Sequence, residues 1–188
     1  MKILIITSSP NKDGLTAACG RMAELGVKKA GAEPELICLN DYKISSCHAC
    51  GNGWGTCRSS NSCQYEDDFQ KLYRLFKSID GFIIISPVYY GEMSECCKSF
   101  FDRLRRCEST LGEKTTLYKK QVITIAAAGG GGGGTLTCLS SFERLIQHLR
   151  MEKYDMIGIT RKNRDYMLDA ICKAAQRMSQ AIEHSSIT

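Results

Sequence analysis

Five short apolar runs, each separated from the next by a segment with helical spacing, constrain this chain more than any other feature. The runs are Lys2 to Thr7, Pro34 to Leu39, Gly81 to Ser86, Gln121 to Ala128 and Tyr154 to Thr160, all of strand length. Apolar residues recur at helical spacing over Thr16 to Ala30, Asp67 to Ser78, Ser94 to Arg106, Thr135 to Arg150 and Asp165 to His184. Stretches such as KILIIT and FIIIS are apolar almost without interruption, so they fit strands covered on both faces. Alternation with helices then calls for right-handed parallel crossovers. The expected fold is α/β: a doubly wound, five-stranded parallel sheet with helices on both faces. In such a sheet ligands bind beyond the carboxyl ends of the strands, where strand order reverses. Function is therefore expected in the loops after the first, third and fourth strands.

The length of 188 residues supports one buried core without calling for a second domain, so a single domain over 1–188 is expected, with a cysteine-rich insertion at about 44–65. No apolar run reaches the roughly 18 residues of a membrane helix, and MKILIITSS reads as a buried strand rather than a signal peptide. These readings predict a cytoplasmic protein with no membrane partner. Eleven cysteines in such a chain argue for reduced thiols, some of them metal-bound, rather than a disulfide framework. The formal charge of +5 is modest and its lysines and arginines are scattered, so the footprint of a nucleic-acid binder is missing.

After the first strand come Ser8, Ser9, Pro10, Asn11, Lys12, Asp13, Gly14, Leu15 and Thr16, then a helix. A helix N-terminus offers unpaired N–H groups and about half a positive charge, and the Ser9 and Thr16 hydroxyls and the Asn11 amide add donors beside it. A phosphate can sit there without an arginine; a capped strand-to-helix turn is the plainer reading. The loop matches neither of the familiar glycine-rich nucleotide motifs. After the third strand, SPVYYGEMSECCKSFFDRL carries Pro87, Tyr89, Tyr90 and Gly91, a rigid, aromatic and then permissive sequence that suits the border of a planar ring. Taken singly, two adjacent tyrosines more often serve packing than a cofactor, and Phe100, Phe101 and Leu104 read as core or an oligomer contact. The run Gly129 to Gly134 lies between a strand and a helix, so it reads either as a backbone approached by a ligand or as a mobile loop.

The segment CHACGNGWGTCRSSNSC sets Cys47, Cys50, Cys57 and Cys63 in a polar loop after the second strand. Four thiolates on a Gly- and Ser-rich loop suit iron–sulfur or zinc ligation. Free thiols or an adventitious disulfide are the other readings. Glu66, Asp67 and Asp68 read as solvated anions at a helix start. For most of the other cysteines, at 19, 38, 96, 97, 107, 138 and 172, core packing is expected. His48, His148 and His184 are isolated, and no obligatory acid–base side chain stands out.

SSPNKDGLT, then SPVYYGEMSECCKSFFDR, then AAAGGGGGGT resembles the NADPH-dependent FMN reductase group of flavodoxin-like proteins, and within it the iron–sulfur flavoproteins. The resemblance runs over nearly the whole chain. It implies that Ser9, Asn11, Gly14, Leu15 and Thr16 hold the FMN phosphate. Pro87, Val88, Tyr89, Tyr90 and Gly91 would then flank the isoalloxazine, with Gly129 and Gly130 at its other edge. Asn11 and Leu15 stand where the family often has Arg and Asn. The resemblance favours a [4Fe–4S] cluster on Cys47, Cys50, Cys57 and Cys63, although the family's first three cysteines are separated by two residues each and here the second gap is six. The implied activity is FMN-dependent electron transfer from NAD(P)H or a ferredoxin-like donor to an acceptor such as a flavin or quinone, in a homodimer or homotetramer. A non-enzymatic, flavodoxin-like electron carrier is the alternative. The basic charge weighs against it, since flavodoxins are typically acidic. A flavin-free regulatory or zinc-binding relative is a third possibility.

Overall fold

The structure, a computed structural model, describes residues 1–185. In chain order the elements are β1 (Lys2–Thr7), α1 (Leu15–Lys29), β2 (Glu33–Cys38), α2 (Thr56–Ser59), α3 (Phe69–Lys77), β3 (Gly81–Tyr89), β4 (Glu92–Met93), α4 (Glu95–Glu108), β5 (Gln121–Ala128), α5 (Thr135–Leu149), β6 (Glu152–Thr160) and α6 (Arg164–Ser185). Five strands pair in parallel in the order β2-β1-β3-β5-β6, and β4 adds an antiparallel rung to β3. This is the doubly wound order whose switch point lies between β1 and β3.

Alternation along each central strand sends side chains to two separate cores. Ile3, Ile5, Ile83, Ile85, Ile123 and Ile125 pack under α1 and α6, against Cys19, Ala23, Val27, Ile171, Ala175 and Met178. Their neighbours Leu4, Ile6, Phe82 and Ile84 face the other way, onto Phe69 and Phe76 of α3, Phe100, Phe101 and Leu104 of α4, and Phe142 of α5. Phenylalanine rings hold this second core, with Phe76 centred 4.9 Å from Phe82 and 5.1 Å from Phe100. Each such ring contributes about 1.5 to 3 kcal/mol by leaving water. The Phe100, Phe101 and Leu104 stripe is thus core.

Several boundaries differ from the sequence reading, each for a backbone reason. β6 begins at Glu152, because its polar first residues pair with Gln121 and Val122 although their side chains are exposed. β3 runs on to Tyr89 and turns into β4, so Pro87, Val88 and Tyr89 lie in a strand and hairpin rather than in a loop. The helix expected from Asp67 begins at Phe69, and a short turn of helix, α2, forms within the cysteine segment. No helix among the described residues is long and apolar enough to cross a membrane.

Candidate functional site

Three buried serines lace the carboxyl ends of β1 and β3 to the start of α4. Ser94 Oγ donates to the Ser8 carbonyl at 2.9 Å, Ser86 Oγ accepts from the Ser94 N–H at 2.9 Å, and Ser8 Oγ donates to the Ile85 carbonyl at 3.3 Å. All three are at most 1% exposed. Buried hydroxyls with partners on different elements fix those elements relative to one another. The loop that follows Ser8 therefore leaves the sheet from a rigid base.

That loop folds on itself. Asn11 Oδ1 accepts the Asp13 N–H at 3.0 Å, Ser9 Oγ accepts the Asn11 N–H at 3.3 Å, and the Asn11 carbonyl accepts the Gly14 N–H at 3.4 Å. The Asn11 side-chain oxygen is thus spent inside the loop, and its NH₂ remains the donor end. Gly14 is the N-cap of α1, carries no side chain to cap it, and no acidic residue occupies the first turn. The first amides of a 15-residue helix consequently lack an internal anionic partner, which suits an incoming phosphate. Ser9, Asn11, Gly14, Leu15 and Thr16 are brought together here.

The second and third loops meet each other. Tyr90 and Gly91 form the two-residue turn of the β3–β4 hairpin, with φ of +51° and +81°. Such a pair of left-handed residues matches the twist of the strands it joins, and it leaves Tyr90 fully exposed at the tip. Gly91 lies against Gly134, where an added Cβ would come within 2.5 Å of the Gly91 Cα, and Thr137 Oγ1 donates to the Gly91 carbonyl at 2.7 Å. Gly134→Ala should therefore separate the two loops. With its φ of +78° the substitution is expected to lower stability by about 1 to 2 kcal/mol, read as a lowered urea midpoint. Gly129 and Gly130 differ from Gly134: a Cβ on either would meet nothing of this chain, and neither has a positive φ.

Core packing is expected for most of the seven other cysteines, and the two that lie outside the core sit beside the first loop. Cys38 Sγ donates to the Ser9 carbonyl at 3.4 Å and Cys96 Sγ to the Ser8 carbonyl at 3.5 Å, and both lie near Asn40 Oδ1, at 3.8 and 3.4 Å. Both are half-buried. Burial pushes the Cys96 thiol up from its ordinary range, so it is a neutral donor to the loop. The signal for this role was positional: one cysteine ends β2 and the other opens α4, both at the carboxyl edge. The remaining five, Cys19, Cys97, Cys107, Cys138 and Cys172, are buried as expected.

Cys47, Cys50, Cys57 and Cys63 line one cavity, together with His48, Tyr65, Arg103 and Arg106. The segment that bears them is pinned at many points. Asp68 accepts from the Lys43 N–H at 2.7 Å, Gln70 Nε2 donates to the Cys63 and Tyr65 carbonyls at 3.0 and 2.6 Å, and Asn61 Nδ2 donates to the Cys107 carbonyl at 3.0 Å. Asp67 corrects the expectation of a solvated anion. Its side chain is 10% exposed, pairs with Arg103 at 2.6 Å and accepts the Ser45 and Phe69 amides at 2.9 Å each. Burial pushes its carboxyl up, but Arg103 and the two amides outweigh burial and hold it below the usual carboxylate range. His148 and His184 are exposed, and the His48 ring lies 4.0 Å from that of Tyr65, centroid to centroid, tilted by 45°.

Among the described residues no three His, Cys, Asp or Glu side chains are gathered closely enough to hold one metal ion. A tetrahedral zinc needs four sulfurs about 2.3 Å from one point, so these thiols as placed do not fit it. A cluster takes each thiolate at a different iron, a wider spread, and the guanidinium groups of Arg103 and Arg106 in the wall offer N–H donors.

The profile of the NADPH-dependent FMN reductase family matches residues 1–155. An iron–sulfur flavoprotein of Methanocaldococcus jannaschii is 33% identical over 105 residues, 56% of this chain and 52% of that protein. One of Methanosarcina thermophila is 32% identical over 118 residues, 61% and 59% of the two chains. The chain thus spans little more than half the length of these curated relatives. Among solved structures, a flavone reductase superimposes with a TM-score of 0.74 at 18% identity, covering 97% of this chain and 63% of that one. A flavodoxin from the domain Archaea gives 0.66 at 14% identity, covering 98% and 100%. These two likenesses establish the fold. Matched over most of its length by the family profile, the chain belongs to the NADPH-dependent FMN reductase family.

Proposed function

We propose that this protein is an FMN-dependent oxidoreductase that passes electrons from NAD(P)H or a ferredoxin-like donor to an acceptor such as a flavin or a quinone. The observation that carries the reading is the convergence of the three loops at the sheet's carboxyl edge, with the uncapped start of α1 beside them. Ser9, Asn11, Gly14, Leu15 and Thr16 hold the phosphate, Pro87 to Gly91 border the ring on one side, and Gly129 and Gly130 lie along its other edge. Bound FMN supplies the redox chemistry. The chain's own part is to bind and orient. The backbone N–H groups near the ring favour negative charge in the manner of an oxyanion hole. Tyr90, fully exposed beside the ring, is available to a nicotinamide or a partner protein. Functional assembly as a homodimer or homotetramer belongs to the same proposal.

Cys47, Cys50, Cys57 and Cys63 would hold a [4Fe–4S] cluster in this reading, and the cluster would supply one-electron chemistry. The support is their common cavity and its two guanidinium groups. Cys50→Ser is expected to remove iron and acid-labile sulfide and to leave the FMN content unchanged. Full retention of iron would refute the cluster assignment. Anaerobic oxidation of NAD(P)H with a quinone or free flavin as acceptor tests the activity. Turnover supports an enzyme, whereas a flavin that is reduced once without turnover marks a carrier.

A further inference from the structure

Arg103 is 2% exposed, yet it sits in the wall of the thiol cavity. Nη1 pairs with Asp67 at 2.6 Å and donates to the Ser45 carbonyl at 3.2 Å. Nη2 donates to the Tyr65 carbonyl at 2.8 Å and lies 3.4 Å from Cys63 Sγ. The guanidinium rests on the Phe69 ring, 4.3 Å from its centroid. Contacts to Asp67, Ser45 and Tyr65 would suffice to anchor the segment. The fourth is aimed at a sulfur.

We propose that Arg103 is a positioning residue for the sulfur centre: its N–H fixes the Cys63 thiolate and stabilises the more electron-rich state of the cluster. The inference rests on the cluster reading given above. Asp67 neutralises the charge of Arg103 locally, so a directed N–H···S bond, more than net charge, distinguishes this residue. Hydrogen bonds to the sulfurs help set a cluster's potential. Lysine cannot reproduce the contact, because only the planar guanidinium reaches Cys63, Asp67 and two carbonyls at once.

The test compares wild-type protein, Arg103→Lys, and the double variant Arg103→Met with Asp67→Asn, which leaves neither charge buried alone. Each is reconstituted anaerobically with iron and sulfide, assayed for both, and titrated potentiometrically with the cluster followed by electron paramagnetic resonance. Equal loading is expected, with the one-electron equilibrium shifted about tenfold toward the oxidised cluster in both variants, a fall of about 59 mV. Equal loading with an unchanged potential would overturn the role of Arg103 and leave the cluster reading standing. Variants that fold by circular dichroism yet lose the iron that wild type keeps would make Arg103 a structural pin, which also overturns the proposal. Wild-type protein that takes up no iron and sulfide would overturn the cluster reading and this inference with it.

Discussion

Ser9→Asp is expected to weaken FMN binding by at least about 100-fold, equivalent to about 2.7 kcal/mol, with little change in the stability of the flavin-free protein. Ser9 Oγ accepts the Asn11 N–H, and an aspartate carboxylate can accept the same bond, so the loop keeps its shape. The change instead places a negative charge beside a phosphate that carries nearly two. Two unit charges 4 Å apart repel by about 4 kcal/mol at the effective dielectric of a protein surface, which leaves room for screening to reduce the effect. Fluorescence titration of the flavin-free protein with FMN measures it, and raising the salt concentration should recover part of the loss. Unaltered affinity would mean that the phosphate lies elsewhere.

The second large effect concerns the thiol segment. Asp67→Asn is expected to lower stability by about 3 to 5 kcal/mol at neutral pH, because it strands the buried Arg103 guanidinium without its counter-charge. The sign of the pH dependence follows from the depressed carboxyl of Asp67. A carboxyl held below its unfolded value of about 3.9 contributes fully above that value, and the contribution fades as pH falls through the folded pKa. Urea unfolding at pH 7 should therefore separate the two proteins widely, and their midpoints should converge in acid. A constant difference at every pH would show that Asp67 acts through packing or its amide contacts rather than through its charge.

The strand and helix alternation could be read from the amino acids because the central strands are buried on both faces and must be apolar throughout. KILIIT and FIIIS have no other economical use in water. The hairpin was hidden for the opposite reason. β4 is two residues long, so Pro87, Val88 and Tyr89 looked like the start of a loop, and only pairing with Glu92 and Met93 makes them a strand end. Asp67 and Arg103 stand 36 residues apart, and no local pattern announces that one will bury the other. A run of three acids before a helix looks the same whether solvated or paired. Which of the seven other cysteines would lie outside the core was equally hidden, since a thiol in a regular element is as good a core residue as it is a donor to a loop carbonyl, the part Cys38 and Cys96 play. The glycine tract was read as a unit, but its members differ. Gly134 is required by its contact with Gly91, whereas Gly129 and Gly130 are free of any demand from this chain.

An FMN-dependent protein with a thiolate-bound cluster is tested most directly by the visible absorption spectrum of the anaerobically purified protein, with FMN, iron and acid-labile sulfide determined on the same sample. The expected spectrum shows flavin bands from bound FMN over a broad thiolate-to-iron absorption, with iron and sulfide in equal amounts. A protein with no flavin bands, and with none appearing after FMN is added, would contradict it.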